Sequence, residues 1–130
     1  MIFLISFTGQ GQTLAEILAR RLDGQAIRCG QKQSLGSWTR EYFQPGNALI
    51  FVGAVGIAVR AIAPYVDSKL TDPAVVVVDE MGRFAIPILS GHLGGANKLA
   101  KKIEAVCGAV PVITTATDLH GLFAVDQWAK

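Results

Sequence analysis

The sequence has little cysteine: Cys29 and Cys107 are the two in 130 residues. They offer neither a metal-binding spacing nor a disulfide framework, so a reducing cytoplasm is the expected compartment. Charge is scarce too. Only 17% of residues are charged, with a net charge of +2, too little to argue for a nucleic-acid surface. Lys98, Lys101 and Lys102 are the densest basic group and read as the wet face of a helix. No apolar run approaches the ~18 residues of a membrane span. The apolar start, MIFLISF, has no basic leader and is followed by Gly9 and Gln10, so it reads as a buried strand rather than a signal peptide. No internal repeat, low-complexity segment or metal-ligand set is present.

What is abundant is apolar surface and glycine. Hydrophobic residues make up 51% of the chain and glycine supplies 14 positions. That suits one domain with one core and a sheet buried on both faces. Strand-length apolar runs fall at 2–7, 25–29, 48–54, 74–80 and 83–89, with a last short one opening 110–118. Between them the period is helical. In 8–22, Thr13 and Glu16 suggest a capping box, and Leu14, Ile17, Leu18 and Leu22 share a face. A weaker amphipathic helix spans 34–43 and ends at Pro45. Segment 55–66 is apolar almost all round and predicts a helix buried on most sides. From Ala96, residues Leu99, Ala100, Ile103 and Cys107 share a face, and Gly108 closes that helix. Residues 123–130 look like the beginning of another helix.

Strands alternating with helices predict an α/β fold, a three-layer sandwich around a mostly parallel sheet. Met81-Gly82 predicts a tight turn, so the hairpin 74–89 contributes one antiparallel strand. Residues 67–73 could span ~23 Å when extended at ~3.3 Å each. On that reading strand 74–80 runs against the others, strand 83–89 runs with them, and Ser90 emerges at the edge of the other strand ends.

Ligands of open α/β sheets bind beyond the carboxyl ends of parallel strands. Four polar connections are expected there: 8–13 with Gly9 and Gly11, 53–56 with Gly53 and Gly56, 90–95 with Ser90, Gly91, His92, Gly94 and Gly95, and 114–118 with Thr114, Thr115 and Asp118. The first three open helices, whose free amides favour anions. The plain alternative is that the glycines only permit tight turns. The 8–13 loop is neither G-x-G-x-x-G nor a P-loop, which counts against a nucleotide module. Arg60, alone in an apolar helix, needs water, a carboxylate partner or a ligand carboxylate. If Ser90 caps the next helix, His92 lies in its first turn, where the dipole favours a neutral imidazole able to act as a general base. Asp118 could orient that histidine or cap a terminal helix. Asp79 and Glu80 read as solvated turn residues, and His120 as an isolated loop residue.

The stretches FVGAVGIAVRAIAP, DPAVVVVDEMGRFAIPILSGHLGGAN and GAVPVITTATD resemble the CbiG family of anaerobic cobalamin biosynthesis, in order and over nearly the whole chain. The resemblance implies that residues 1–130 are one α/β domain, the N-terminal part of a longer protein. It also implies cobalt-precorrin-5A hydrolase activity: opening of the δ-lactone of a cobalt-bearing corrin precursor, release of acetaldehyde, and formation of cobalt-precorrin-5B. The cobalt arrives with the substrate, so no cofactor is expected on the protein. A corrin precursor is a large apolar ring with many carboxylates. Arg60, Lys69, Lys98, Asn97 and the loop amides are expected to meet the acids, while His92, Asp118 and Thr115 serve the lactone. Association with a C-terminal domain, with pathway enzymes or with a second copy is also expected. A non-catalytic tetrapyrrole-binding or assembly domain is the alternative.

Overall fold

A computed structural model describes residues 1–115. The first apolar run forms β1 (Ile2–Ser6), joined by β2 (Gln25–Arg28), β3 (Ala48–Val52), β4 (Ala74–Val78), β5 (Phe84–Leu89) and β6 (Val110–Pro111). They form one sheet in the order β2-β1-β3-β4-β5-β6. The helices are α1 (Gly9–Leu22), α2 (Leu35–Tyr42), α3 (Val55–Ile62) and α4 (Ala96–Cys107).

The two-residue period of the strands divides the core into two halves. Leu4, Ile50, Val52, Val76 and Val78 face α1 and α4, where Ala15, Leu18, Leu99 and Ile103 cover them. Phe3, Ile5, Leu49, Phe51, Val75 and Val77 face α2 and α3, under Trp38, Ala58 and Ile62. All five residues of β4 are buried, as the run AVVVV requires of a strand covered on both sides. The expected three-layer α/β sandwich is therefore present.

The strand directions differ from the expectation. β4 pairs parallel with β3, and β5 pairs antiparallel with β4. β6 is parallel to β5. Residues 67–73 do not carry the chain back across the sheet, because α3 and the 3₁₀ turn Ala63–Tyr65 have already done so. Eight α-helical residues and three 3₁₀ residues rise about 18 Å, close to the height of a five-residue strand at about 3.3 Å each. The β3–α3–β4 unit is thus an ordinary parallel crossover. Ser90 consequently emerges at the edge opposite the carboxyl ends of β1 and β3.

Three local readings are also corrected. Thr13 does not cap α1; Thr8 does, its Oγ1 accepting from Gly11 N at 3.0 Å, and the Thr13 hydroxyl donates to Gly9 O. The helix begins five residues earlier than a Thr13 cap implies, so its buried face is Gly11, Ala15, Leu18 and Ala19 while Ile17 is exposed. Helix 55–66 is not buried on most sides. Only Ala58 and Ile62 of α3 are buried, and Val55, Ile57 and Val59 are exposed. No described element covers its outer face.

The β4–β5 turn is organised by Asp79. Its Oδ1 accepts from Arg83 N (2.8 Å) and Phe84 N (2.7 Å), and its Oδ2 from Arg83 Nε (3.2 Å). Partial burial pushes this carboxyl up, but the hydrogen bonds from Phe84 and Arg83 and the Arg83 charge outweigh it and hold the pKa below its usual value. A carboxyl depressed in the folded state contributes stability above its unfolded pKa of about 3.9 and loses it as pH falls through the lower folded value. Asp79→Asn is therefore expected to lower the urea midpoint at pH 6, with the gap to the parent narrowing below pH 4. A gap of constant size from pH 6 to pH 2 would contradict this account of the turn.

Candidate functional site

One antiparallel step decides which loops meet. Connections 8–13 and 53–56 leave the carboxyl ends of β1 and β3 at one edge of the sheet. Segments 90–95 and 112–115 leave β5 and β6, and so lie at the other. The expected convergence of four loops does not occur; they form two pairs about 17 Å apart, the height of a five-residue strand.

At the second edge, residues 90–95 are a loop rather than the first turn of a helix. Ser90 turns into the left-handed region at φ 56°, which side-chain-bearing residues seldom occupy, and Gly95 does so at φ 87° in the N-cap position of α4. Between them the loop caps the helix with its own carbonyls. Ala96 N donates to Ser90 O at 3.1 Å and Asn97 N donates to Gly91 O at 2.9 Å. Ser90 is therefore not the N-cap, and His92 lies outside the first turn, away from the helix-dipole position expected for it. Those two amides are also taken, so they do not serve an anion.

The remaining contacts explain the composition of the loop. A Cβ on Gly94 would collide with Ser90 Cβ, and one on Gly91 would stand 2.9 Å from both Asn97 Oδ1 and Thr115 Oγ1. Asn97 is buried and donates from Nδ2 to Thr115 Oγ1 at 3.1 Å, tying α4 to the segment after β6. The Ser90 hydroxyl donates to Asp72 O at 3.0 Å, tying β5 to the loop before β4. Asp72 is itself buried; its Oδ2 accepts from Asp67 N at 2.9 Å and its own N–H donates to Ser68 O at 2.8 Å. These bonds hold the turn that carries Lys69.

Lys69, Ser90, Gly91, His92, Leu93 and Thr115 thus line one cavity of about 330 Å³. The chain enters beside it from the α2–α3 face and leaves toward the α1–α4 face. The exposed imidazole of His92 shares this cleft with an ammonium group and two hydroxyls. That set can move a proton and meet an oxyanion. Asp72 was missed in the sequence reading; its signal was the TDP triplet, in which an Asp before Pro favours a side-chain-bonded turn. Leu93, 63% exposed at the mouth of the cleft, carried no signal at all.

The other expected residues lie elsewhere. Gly9, Gly11, Gly53 and Gly56 are at the opposite edge, beside a mostly apolar cavity of about 370 Å³ lined in part by Phe7, Thr8, Ala54, Ile57 and Glu80. Glu80 Oε2 accepts from the Thr8 hydroxyl at 2.6 Å, so it closes the β4–β5 turn onto α1 rather than standing as a solvated residue. Arg60 is exposed on α3, over a groove shared with Leu35, Gly36 and Tyr65, and lines neither cavity. Asp118 and His120 lie outside the described residues. Among the described residues, no three His, Cys, Asp or Glu side chains gather as a metal-holding group, and no helix is long and apolar enough to cross a membrane.

Comparison with known proteins gives the family. Residues 37–118 match the family profile described as cobalamin synthesis G N-terminal. The chain is 54% identical to the cobalt-precorrin-5A hydrolase of Salmonella typhimurium over 90 residues, covering 69% of this chain and 26% of that protein. It is 47% identical to the Priestia megaterium protein of the same name over 88 residues, covering 68% of this chain and 24% of that one. A relative from Methanocaldococcus jannaschii is 31% identical over 100% of the chain and 39% of its own length. The crystal structure of a cobalamin biosynthesis protein G homolog from Sulfolobus solfataricus superposes with a TM-score of 0.72 and 26% identity, over 92% of this chain and 39% of that one. The chain therefore spans about a quarter of the first two relatives' length. With a profile matched across β3 to β6 and the Ser90–His92 cleft within it, the chain belongs to the cobalamin synthesis G N-terminal family.

Proposed function

We propose that this chain carries the hydrolytic site of a cobalt-precorrin-5A hydrolase of cobalamin biosynthesis. The observation that supports the reading is the cleft that gathers His92, Lys69 and Thr115. Water attacks the acyl carbon of the δ-lactone while His92 takes its proton. The acyl C–O bond breaks, leaving a carboxylate and, once the alkoxide takes the proton held by His92, a hydroxyl on the two-carbon fragment. Loss of the hydroxyl proton then expels the fragment as acetaldehyde as its C–C bond to the macrocycle breaks, the electron pair of that bond passing into the conjugated ring, which takes up a proton. Cobalt-precorrin-5B remains. The tetrahedral oxyanion is met by Lys69 and by the Thr115 hydroxyl, whose acceptor side is occupied by Asn97. Amides of 91–95 remain part of the proposal as further donors to the oxyanion, whereas those at 53–56 lie at the opposite edge, where Gly53 N donates to Val78 O at 2.9 Å. Asp118 as a support for His92 remains part of the proposal. The cobalt is cargo of the substrate, and no cofactor of the protein's own is invoked.

A cavity of about 330 Å³ is at the small end of sites for drug-sized ligands, roughly 300–1,000 Å³. It accepts the lactone edge of a corrin, not the whole macrocycle. The second reading, a tetrapyrrole-binding domain that relies on further parts of a longer protein for chemistry, draws on this size. Incubating the chain with cobalt-precorrin-5A separates the two. Acetaldehyde release by the chain alone supports the hydrolytic site. Saturable binding without release supports the binding domain, and absence of both overturns the proposal.

A further inference from the structure

We infer that the protein has a second site, for a small oxyanion, at the carboxyl ends of β1 and β2. A cavity of about 160 Å³ lies there between α1 and β2, with Ser6, Gln12, Glu16, Arg28, Gln31 and Lys32 among its lining. It is at the edge opposite His92, so it is independent of the lactone reading.

The side chains in this cavity carry donors in excess of acceptors. Arg28 is half-buried and presents five N–H groups. Its described hydrogen bond runs from Nη1 to Gln12 Oε1 at 3.4 Å, longer than the usual 2.7–3.2 Å of such bonds. Among the described residues the ion pair is Arg83 with Asp79, so Glu16 lines the cavity without pairing to Arg28 or Lys32. The Ser6 hydroxyl, fully buried, donates only to Ile27 O at 3.5 Å. Partly desolvating a guanidinium without a counter-charge is costly. A carboxylate or phosphate resolves that cost, because its paired oxygens match the guanidinium fork.

Access to the guanidinium is open. A Cβ built on Gly9 would stand 3.9 Å from Arg28 Nη1, so the arginine head reaches the first turn of α1. The donors are side chains; the amino end of α1 adds its dipole to theirs. Lys32 and Gln31 stand at the mouth, both exposed. The volume fits one carboxylate or phosphate group rather than a large molecule.

The test is a titration at low ionic strength with inorganic phosphate and, separately, with acetate, followed by ¹⁵N NMR of the Arg28 Nε and the Gly9 and Gln12 amides. Chloride at matched ionic strength is the control. Saturable shifts with phosphate or acetate and not with chloride are expected, and the tighter of the two names the ligand's acid group. Arg28→Met weakens binding at least tenfold, and Arg28→Lys, which keeps the charge but not the fork, falls between. Arg83→Met, at the paired surface arginine, leaves affinity unchanged. If Arg28→Met fails to fold, Arg28→Lys and Lys32→Met decide the matter. Shifts that stay linear, that chloride reproduces, or that persist unchanged in both of those variants overturn the site.

Discussion

His92→Ala is expected to slow opening of the cobalt-precorrin-5A lactone by about 10²–10⁴-fold, the usual contribution of a positioned general base. The expectation rests on place. Among the residues that line the cleft, His92 carries the side chain that most often serves as a general base. Its side chain is exposed rather than part of the core, so folding stability is expected to stay within about 1 kcal/mol of the parent. His92→Gln refines the test. An amide keeps a hydrogen-bonding tip but cannot take a proton at neutral pH, so it too is expected to be slow. Full activity in His92→Gln, measured as acetaldehyde released per active protein, would show that the imidazole only organises the loop.

The largest stability effect is expected at Trp38. This residue is 1% exposed. It meets Phe51 edge to face, with ring centroids 5.3 Å apart at 80°, and Tyr42 at 5.9 Å and 65°. It anchors α2 to the sheet face that α3 also covers. Trp38→Ala combines lost transfer free energy with a cavity that packed neighbours fill only in part, a cost of about 3–5 kcal/mol. Against a total of about 5–15 kcal/mol for a domain, that is a large share. Urea unfolding should show a much lower midpoint with an unchanged slope. Trp38→Phe retains an aromatic body and should lose less than about 2 kcal/mol. A loss below about 1 kcal/mol in Trp38→Ala would mean that α2 contributes little to the fold.

The layers were legible in the chain. Unbroken apolar runs at 2–7, 48–54 and 74–80 located β1, β3 and β4, because a strand covered on both faces is apolar throughout. The face through Ala96, Leu99, Ala100 and Ile103 located α4, and Gly108, at φ 79°, ends it. The turn at Gly82, φ 70°, was visible for the same reason. Helix starts were less legible. A hydroxyl can reach a free amide from Thr8 or from Thr13, and only the packing of Gly11 against Val52 selects Thr8. The burial of α3 was misjudged because an apolar sequence does not say how many neighbours are present to cover it.

The composition of the site was therefore half in the sequence. Lys69, Ser90, His92 and Thr115 were recognisable as groups with chemistry to offer, but not as neighbours of one another to the exclusion of Gly9, Gly53 and Arg60. Only the tertiary structure decided that. Neighbourhood at a sheet edge depends on strand direction, and one antiparallel step between Val78 and Phe84 sends the segments that leave β5 and β6 to the opposite edge. Whether that step places β4 or β5 against the rest is set by how far α3 and its 3₁₀ turn carry the chain back. That is a length in space, which the residues 55–73 constrain only once they are folded against the sheet.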